Sequence, residues 1–149
     1  FNHYKNFQAM MNLEVRAIMT KDPVVVNQNQ TIDEVSKIMM DSQLQQLPVV
    51  ENGKLVGMVT AYDMWKASRE GHASDIKVRD VMTTKVVRIT PKDKVGTAAE
   101  LFADKRFKTL PVVNLENDLK GVVTAFDVIR TVFNEEYPRP ILYQEEFVH

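Results

Sequence analysis

Val15-Arg16-Ala17-Ile18-Met19-Thr20 returns 63 positions later as Val78-Arg79-Asp80-Val81-Met82-Thr83. The same shift carries the apolar helical face Ile32, Val35, Ile38 and Met39 onto Val95, Ala98, Leu101 and Phe102. It also carries Leu47-Pro48-Val49-Val50 onto Leu110-Pro111-Val112-Val113. Gly57-Met58-Val59-Thr60-Ala61-Tyr62-Asp63 returns as Gly121-Val122-Val123-Thr124-Ala125-Phe126-Asp127 at a shift of 64, because the second hairpin turn, 114–118, is one residue longer. One shift held across several elements, with its single insertion inside a turn, marks an internal duplication. A unit this small cannot bury its own sheet face well, so two copies must pack face to face around a shared core.

Each copy reads β-α-β-β-α, an α/β (α+β) arrangement of two pseudo-twofold repeats packed sheet to sheet. Val24-Val25-Val26 reads as a short strand after the Lys21-Asp22-Pro23 turn. Thr31 with Glu34 three residues on is a helix-start signal, and the apolar face follows it. Asn52-Gly53 supplies the positive φ angles of a tight hairpin turn between two strands. Residues 4–13 carry Phe7, Met10 and Met11 on one side of a short helix. The expected organisation is an N-terminal helical segment at 1–14, repeats at 15–70 and 78–131 joined by a polar linker at 71–77, and a tail at 132–149 broken by Pro138 and Pro140.

Composition narrows the function. A net charge of −1 gives no pull toward nucleic acid or an anionic membrane. With no cysteine, thiol catalysis and thiolate metal sites are excluded. His3, His72 and His149 are too far apart in sequence to signal a metal site. No Ser/His/Asp order and no phosphate loop stands out, so the chain does not read as an enzyme. No apolar run approaches membrane-spanning length, and a soluble, cytoplasmic protein is expected.

The two Thr-x-x-Asp corners, Thr60/Asp63 and Thr124/Asp127, carry the functional signal. Each stands where an apolar strand gives way to a helical pattern. A helix start offers unpaired N–H groups and a positive dipole end to an anion. A carboxylate there can accept hydrogen bonds from two neighbouring hydroxyls, as on a ribose. The plain alternative is a capping box, worth roughly 1 kcal/mol to the helix. The two roles are compatible, and a pseudo-twofold pairing would set two equivalent clefts along the seam between copies. Tyr62 and Phe126 could stack on a base, but a core or subunit-interface place suits them better. Trp65 and the eight methionines read as packing material.

These motifs resemble cystathionine-β-synthase (CBS) domains over about 15–131, and the tandem resembles a CBS pair, or Bateman module. The resemblance implies a regulatory module that binds an adenosine-containing ligand (AMP, ADP, ATP or S-adenosylmethionine) and commonly dimerises. It implies binding without catalysis, with the adenosine compound as a regulatory ligand and no certain cofactor; no membrane insertion is expected from the sequence, and no effector protein is named. It assigns the ribose to Asp63 and Asp127, and phosphate to Thr60 and Thr124. The base is bordered by Thr20 and Val25 in one copy, and by Thr83 and Arg88 in the other. The pairs Gln45-Gln46 and Lys108-Thr109 face the ligand. The implied sites are crossed: Asp127 and Thr124 with Thr20 and Gln45, and Asp63 and Thr60 with Thr83 and Lys108.

The chain departs from the family where a basic residue often precedes Leu-Pro, since Gln46 and Thr109 stand there. Arg88, Arg106 and Lys108 lie within sequence reach of the Asp63 cleft, so that cleft is expected to prefer the more highly phosphorylated ligand. Two other readings stay open. One is a dimerisation or protein-interaction module whose clefts hold no nucleotide. The other is a regulatory fragment of a larger enzyme, channel or transporter, although the short flanks suggest a free-standing protein.

Overall fold

The computed structural model describes residues 2–104 and 107–136; Arg106 and the tail from 137 onward lie outside them. Helix α1 (Asn2–Met11) leads into a short 3-10 turn at Val15–Ala17. The first repeat continues with α2 (Ile32–Ser42), β1 (Gln46–Glu51), β2 (Lys54–Thr60) and α3 (Ala61–Ser68). A second 3-10 turn, Val78–Asp80, precedes α4 (Val95–Ala103), β3 (Thr109–Val113), β4 (Leu119–Thr124) and α5 (Ala125–Glu136). The strands form two antiparallel pairs, β1 with β2 and β3 with β4, each with a register shift at the matching Val-Val step.

The local signals act as their chemistry requires. The Thr31 backbone N–H donates to Glu34 Oε1 at 2.8 Å, closing one side of the α2 start. Asn52 and Gly53 adopt φ of 51° and 79°, the left-handed pair a two-residue hairpin turn needs.

The expected strand at Val24-Val25-Val26 is a correction. Only Val26 joins the sheet, as a single parallel bridge to Val49, and Ile89 does the same with Val112. Val26 N–H donates to the Pro48 carbonyl, and Val50 N–H donates to the Val26 carbonyl. The next rung of a parallel ladder would need an N–H from Pro48, and proline has none. Pro111 cuts off the second ladder in the same way on the N-terminal side of Ile89.

The single shared core expected of the pair is a correction: the core divides into two clusters, and the opening motif of each copy packs into the cluster of the other. Val15 is fully buried with Ile89, Leu110, Val112 and Val123, whereas Val78 is fully buried with Val26, Leu47, Val49 and Val59. Thr20 bridges to Val122 on the free edge of β4, and Thr83 bridges to Met58 on the free edge of β2. This exchange explains Gly57 and Gly121. A Cβ at Gly57 would stand 2.8 Å from the Thr83 carbonyl, and one at Gly121 would stand 2.6 Å from the Thr20 carbonyl. Only glycine lets the backbones approach that closely.

Equivalent residues meet across the pseudo-twofold axis. Gln46 and Thr109 correspond at the shift of 63, and Gln46 Oε1 accepts the Thr109 N–H at 3.0 Å. Lys54 and Asp118 correspond at the shift of 64, and their side chains pair at 2.7 Å.

Helix α1 packs on α4 and α5, with Met10 buried. The packing role expected of Trp65 and every methionine needs correction. Met10, Met39, Met58 and Met64 are buried, but Met40 and Trp65 are exposed. Met40 follows Met39 and so falls about 100° around the helix from the buried face. Trp65 stacks outside the core, with the Arg69 guanidinium 5.2 Å and the Tyr62 ring 5.9 Å from its ring centroid. Tyr62 and Phe126 are exposed as well, so neither belongs to the core.

Candidate functional site

Two clefts flank the Gln46–Thr109 contact, and both residues line both of them. The first holds about 360 Å³ and is also lined by Thr60, Thr83, Lys85 and Val87. The second holds about 170 Å³ and is also lined by Thr20, Asp22, Val24 and Thr124. Each cleft therefore combines the helix-start threonine of one copy with the opening threonine of the other. That crossing follows from the exchange of opening motifs between the two cores.

The helix-start acids stand beside these linings rather than in them. In the first copy the Thr60 hydroxyl accepts the Asp63 N–H at 3.0 Å and so caps α3. Asp63 is half-buried, and no described residue engages its carboxylate. In the second copy the box closes both ways. Asp127 N–H donates to Thr124 Oγ1 at 3.3 Å, and Thr124 N–H donates to Asp127 Oδ2 at 2.8 Å. The Thr20 hydroxyl adds bonds of 3.3 and 3.4 Å to the two carboxylate oxygens, and Arg130 pairs with Oδ1. Asp127 is 3% exposed, a buried acid that is ion-paired and hydrogen-bonded.

The other candidate residues divide. Thr20, Gln46, Thr60, Thr83, Thr109 and Thr124 all line a cleft. Val25, Gln45, Arg88 and Lys108 do not stand in either lining. Val24 and Val87, one position earlier than Val25 and Arg88, take the cleft-wall places. Arg88 donates instead to Asn117 Oδ1 at 2.6 Å on the second hairpin turn. Lys108 contributes its backbone N–H to Gln46 Oε1 at 3.3 Å and keeps its side chain exposed. Gln45 gives its carbonyl to the Ala61 N–H at the start of α3.

Lys85 and Asp22 were missed in the sequence. They occupy equivalent positions two residues after Thr83 and Thr20, and they give the clefts opposite charge. That opposition at matched positions was the readable signal. Arg130 was missed too, although an i,i+3 Asp–Arg pair on a helix is a known contact spacing. Among the described residues no group of three or more His, Cys, Asp or Glu could hold a metal ion, and no helix is long and apolar enough to cross a membrane.

Comparison with known proteins places these features in a family. The CBS domain profile matches residues 15–64 and 78–134. The CBS domain-containing protein YhcV of Bacillus subtilis is 33% identical over 115 residues, which cover 76% of this chain and 81% of that protein. The solved structure of CBSX2 in complex with AMP superposes with a TM-score of 0.72 at 25% identity, covering 83% of this chain and 98% of that one; CBSX2 is from Arabidopsis thaliana. The CBS domain pair of protein MJ0100, in complex with 5-methylthioadenosine and S-adenosyl-L-methionine, superposes with a TM-score of 0.70 at 27% identity, covering 83% and 98%. The chain spans 48%, 29% and 24% of the length of the first three curated relatives.

Proposed function

This chain belongs to the CBS domain family and carries two copies of the domain, and from that membership we propose that it is a regulatory module whose inter-repeat cleft binds an adenosine-containing ligand. The observation that carries the reading is Asp63. Its half-buried carboxylate lacks a described partner, beside Thr60 on the wall of a cleft of about 360 Å³. Such a carboxylate can accept both hydroxyls of a ribose, while Lys85 and the start of α3 favour a negatively charged group nearby. CBSX2 with AMP and the MJ0100 pair with its two ligands share the adenosine moiety, which supports the same ligand class here.

The module regulates rather than catalyses. A ligand that favours one relative set of the two copies shifts the population toward it, and the shift is limited by its differential affinity. The seam is suited to this, because each copy's sheet edge is completed by the other's opening motif. Thermal shift and calorimetry with AMP, ADP, ATP and S-adenosylmethionine test the reading. Binding of at least one with stabilisation is expected; no heat and no shift from any of them overturns it.

A second reading has its own observation. Tyr62 and Trp65 on α3, and Phe126 and Ile129 on α5, are large and exposed. Exposed apolar faces of this kind suit a homodimer contact. A stable dimer with no nucleotide response in light scattering would favour an interaction module over a sensor. Because the chain covers half or less of several relatives, service as the regulatory part of a larger enzyme or transporter belongs to the same proposal.

A further inference from the structure

The two helix starts have matched sequences but differ in how their acids are used. Both carboxylate oxygens of Asp127 are engaged, closely by Arg130 and the Thr124 N–H and at longer range by two hydroxyls. Arg130 and the Thr20 hydroxyl hold Oδ1, and the Thr124 N–H and hydroxyl hold Oδ2. A carboxylate offers about four lone-pair positions, so a ribose diol could seat there only by displacing existing partners. Displacement would break a charge-assisted bond to a buried carboxylate.

In the first copy the counterpart of Arg130 is Lys66, and it leaves the acid alone. Its ammonium stands 5.7 Å from the Tyr62 ring centroid. No described residue bonds the Asp63 carboxylate, and Thr83, the counterpart of Thr20, makes no described hydrogen bond to it. The cleft volumes follow the same order, about 360 Å³ beside Asp63 and about 170 Å³ beside Asp127. So does charge. Lys85 lines the larger cleft, and Asp22 lines the smaller one from a left-handed backbone with φ of 53°. A ligand phosphate would be attracted in the first and repelled in the second.

We infer that the duplicated module has one open ligand seat, beside Asp63, and that Arg130 locks the second by occupying Asp127. The inference rests on the adenosine-ligand reading and deepens it. Arg130 is a positioning residue, acting on the second cleft through the Asp127 carboxylate. Its removal should free an acceptor for a ribose, and the shorter Arg130→Lys variant should do the same, since lysine at the matching place in α3 does not reach its acid.

The test is calorimetric stoichiometry with AMP, the probe least burdened by phosphate repulsion from Asp22. The unmodified chain should bind one AMP per chain. Asp63→Ala should weaken that binding roughly tenfold or more, as loss of hydrogen bonds to a charged group implies. Arg130→Ala and Arg130→Lys should each take up a second AMP, and Arg130→Ala combined with Asp63→Ala should return to one. A structural role for Arg130 alone would lower stability without adding a site. Two AMP per unmodified chain, binding lost with Asp127→Ala but kept with Asp63→Ala, or no second site in either Arg130 variant overturns the lock while leaving the adenosine reading intact. No heat from any of these proteins overturns the adenosine reading and the lock together.

Discussion

Gln46 Oε1 accepts the backbone N–H of Thr109 at 3.0 Å, and these equivalent residues form the wall between the two clefts. The same oxygen receives the Lys108 N–H at 3.3 Å, so one side chain of β1 satisfies two backbone donors of the other copy. Gln46→Ala leaves the half-buried Thr109 donor without this partner. We expect a loss of about 1–3 kcal/mol, the cost of a stranded donor. Urea denaturation checks it, and the effect should appear in the midpoint with little change in slope.

Gly121→Ala tests the exchange of opening motifs. The new Cβ would stand 2.6 Å from the Thr20 carbonyl and 3.1 Å from Met19 Sδ. The backbone bridge between Thr20 and Val122 must then open. Overpacking of this kind costs about 1–3 kcal/mol. Thermal denaturation should show the loss, and Gly57→Ala should show a similar one through Thr83 and Met82.

Acid should weaken the fold through particular carboxylates. The hydrogen bond from Lys54, followed by that from Asn114, holds the Asp118 carboxyl below its ordinary value of 3.8. The Thr31 hydroxyl does the same for Asp33, and the Thr31 N–H does so for Glu34. A folded value below the unfolded one means that the contribution is fully present above the ordinary carboxylate range. It is lost as pH falls through the lowered values. Stability measured from pH 6 down to pH 2 should therefore decline below about pH 4, and Asp118→Asn should remove part of that pH dependence. Glu34 is exposed and Asp33 and Asp118 are half-buried; the Lys54–Asp118 pair is open enough to solvent that added salt should shrink its share.

Trp65→Ala and Phe126→Ala probe the exposed faces of α3 and α5. Both residues are more than half exposed, so each substitution should change monomer stability by only about 0.5 kcal/mol or less. If those faces join two copies, light scattering should show the dimer weakened by either change. An undiminished dimer in both variants would place the contact elsewhere.

Much of this was legible in the sequence because the duplication supplied its own control. A Thr-x-x-Asp box seen once means a cap; seen at matched positions beside Gly57 and Gly121, it located both helix starts and the seam. The missing part of the first strand was also written there, in the absent N–H of Pro48 and Pro111, but a Val-Val-Val run outweighed it. Residue periodicity did not distinguish Val24 from Val25 or Val87 from Arg88 as cleft walls, because a single bridge fixes no alternation. The sequence pointed to a more cationic Asp63 cleft through Arg88, Arg106 and Lys108, but Arg88 and Lys108 stand outside both linings, and the difference comes instead from Lys85 against Asp22 and from Arg130 against Lys66.

The sharpest check on Asp63 as a ribose acceptor is a crystal structure of the protein grown with AMP. Adenosine density should fill the larger cleft between Thr60, Thr83 and Lys85, with the ribose hydroxyls on the Asp63 carboxylate. An empty larger cleft at saturating AMP, or a nucleotide seated away from Asp63, would contradict that role.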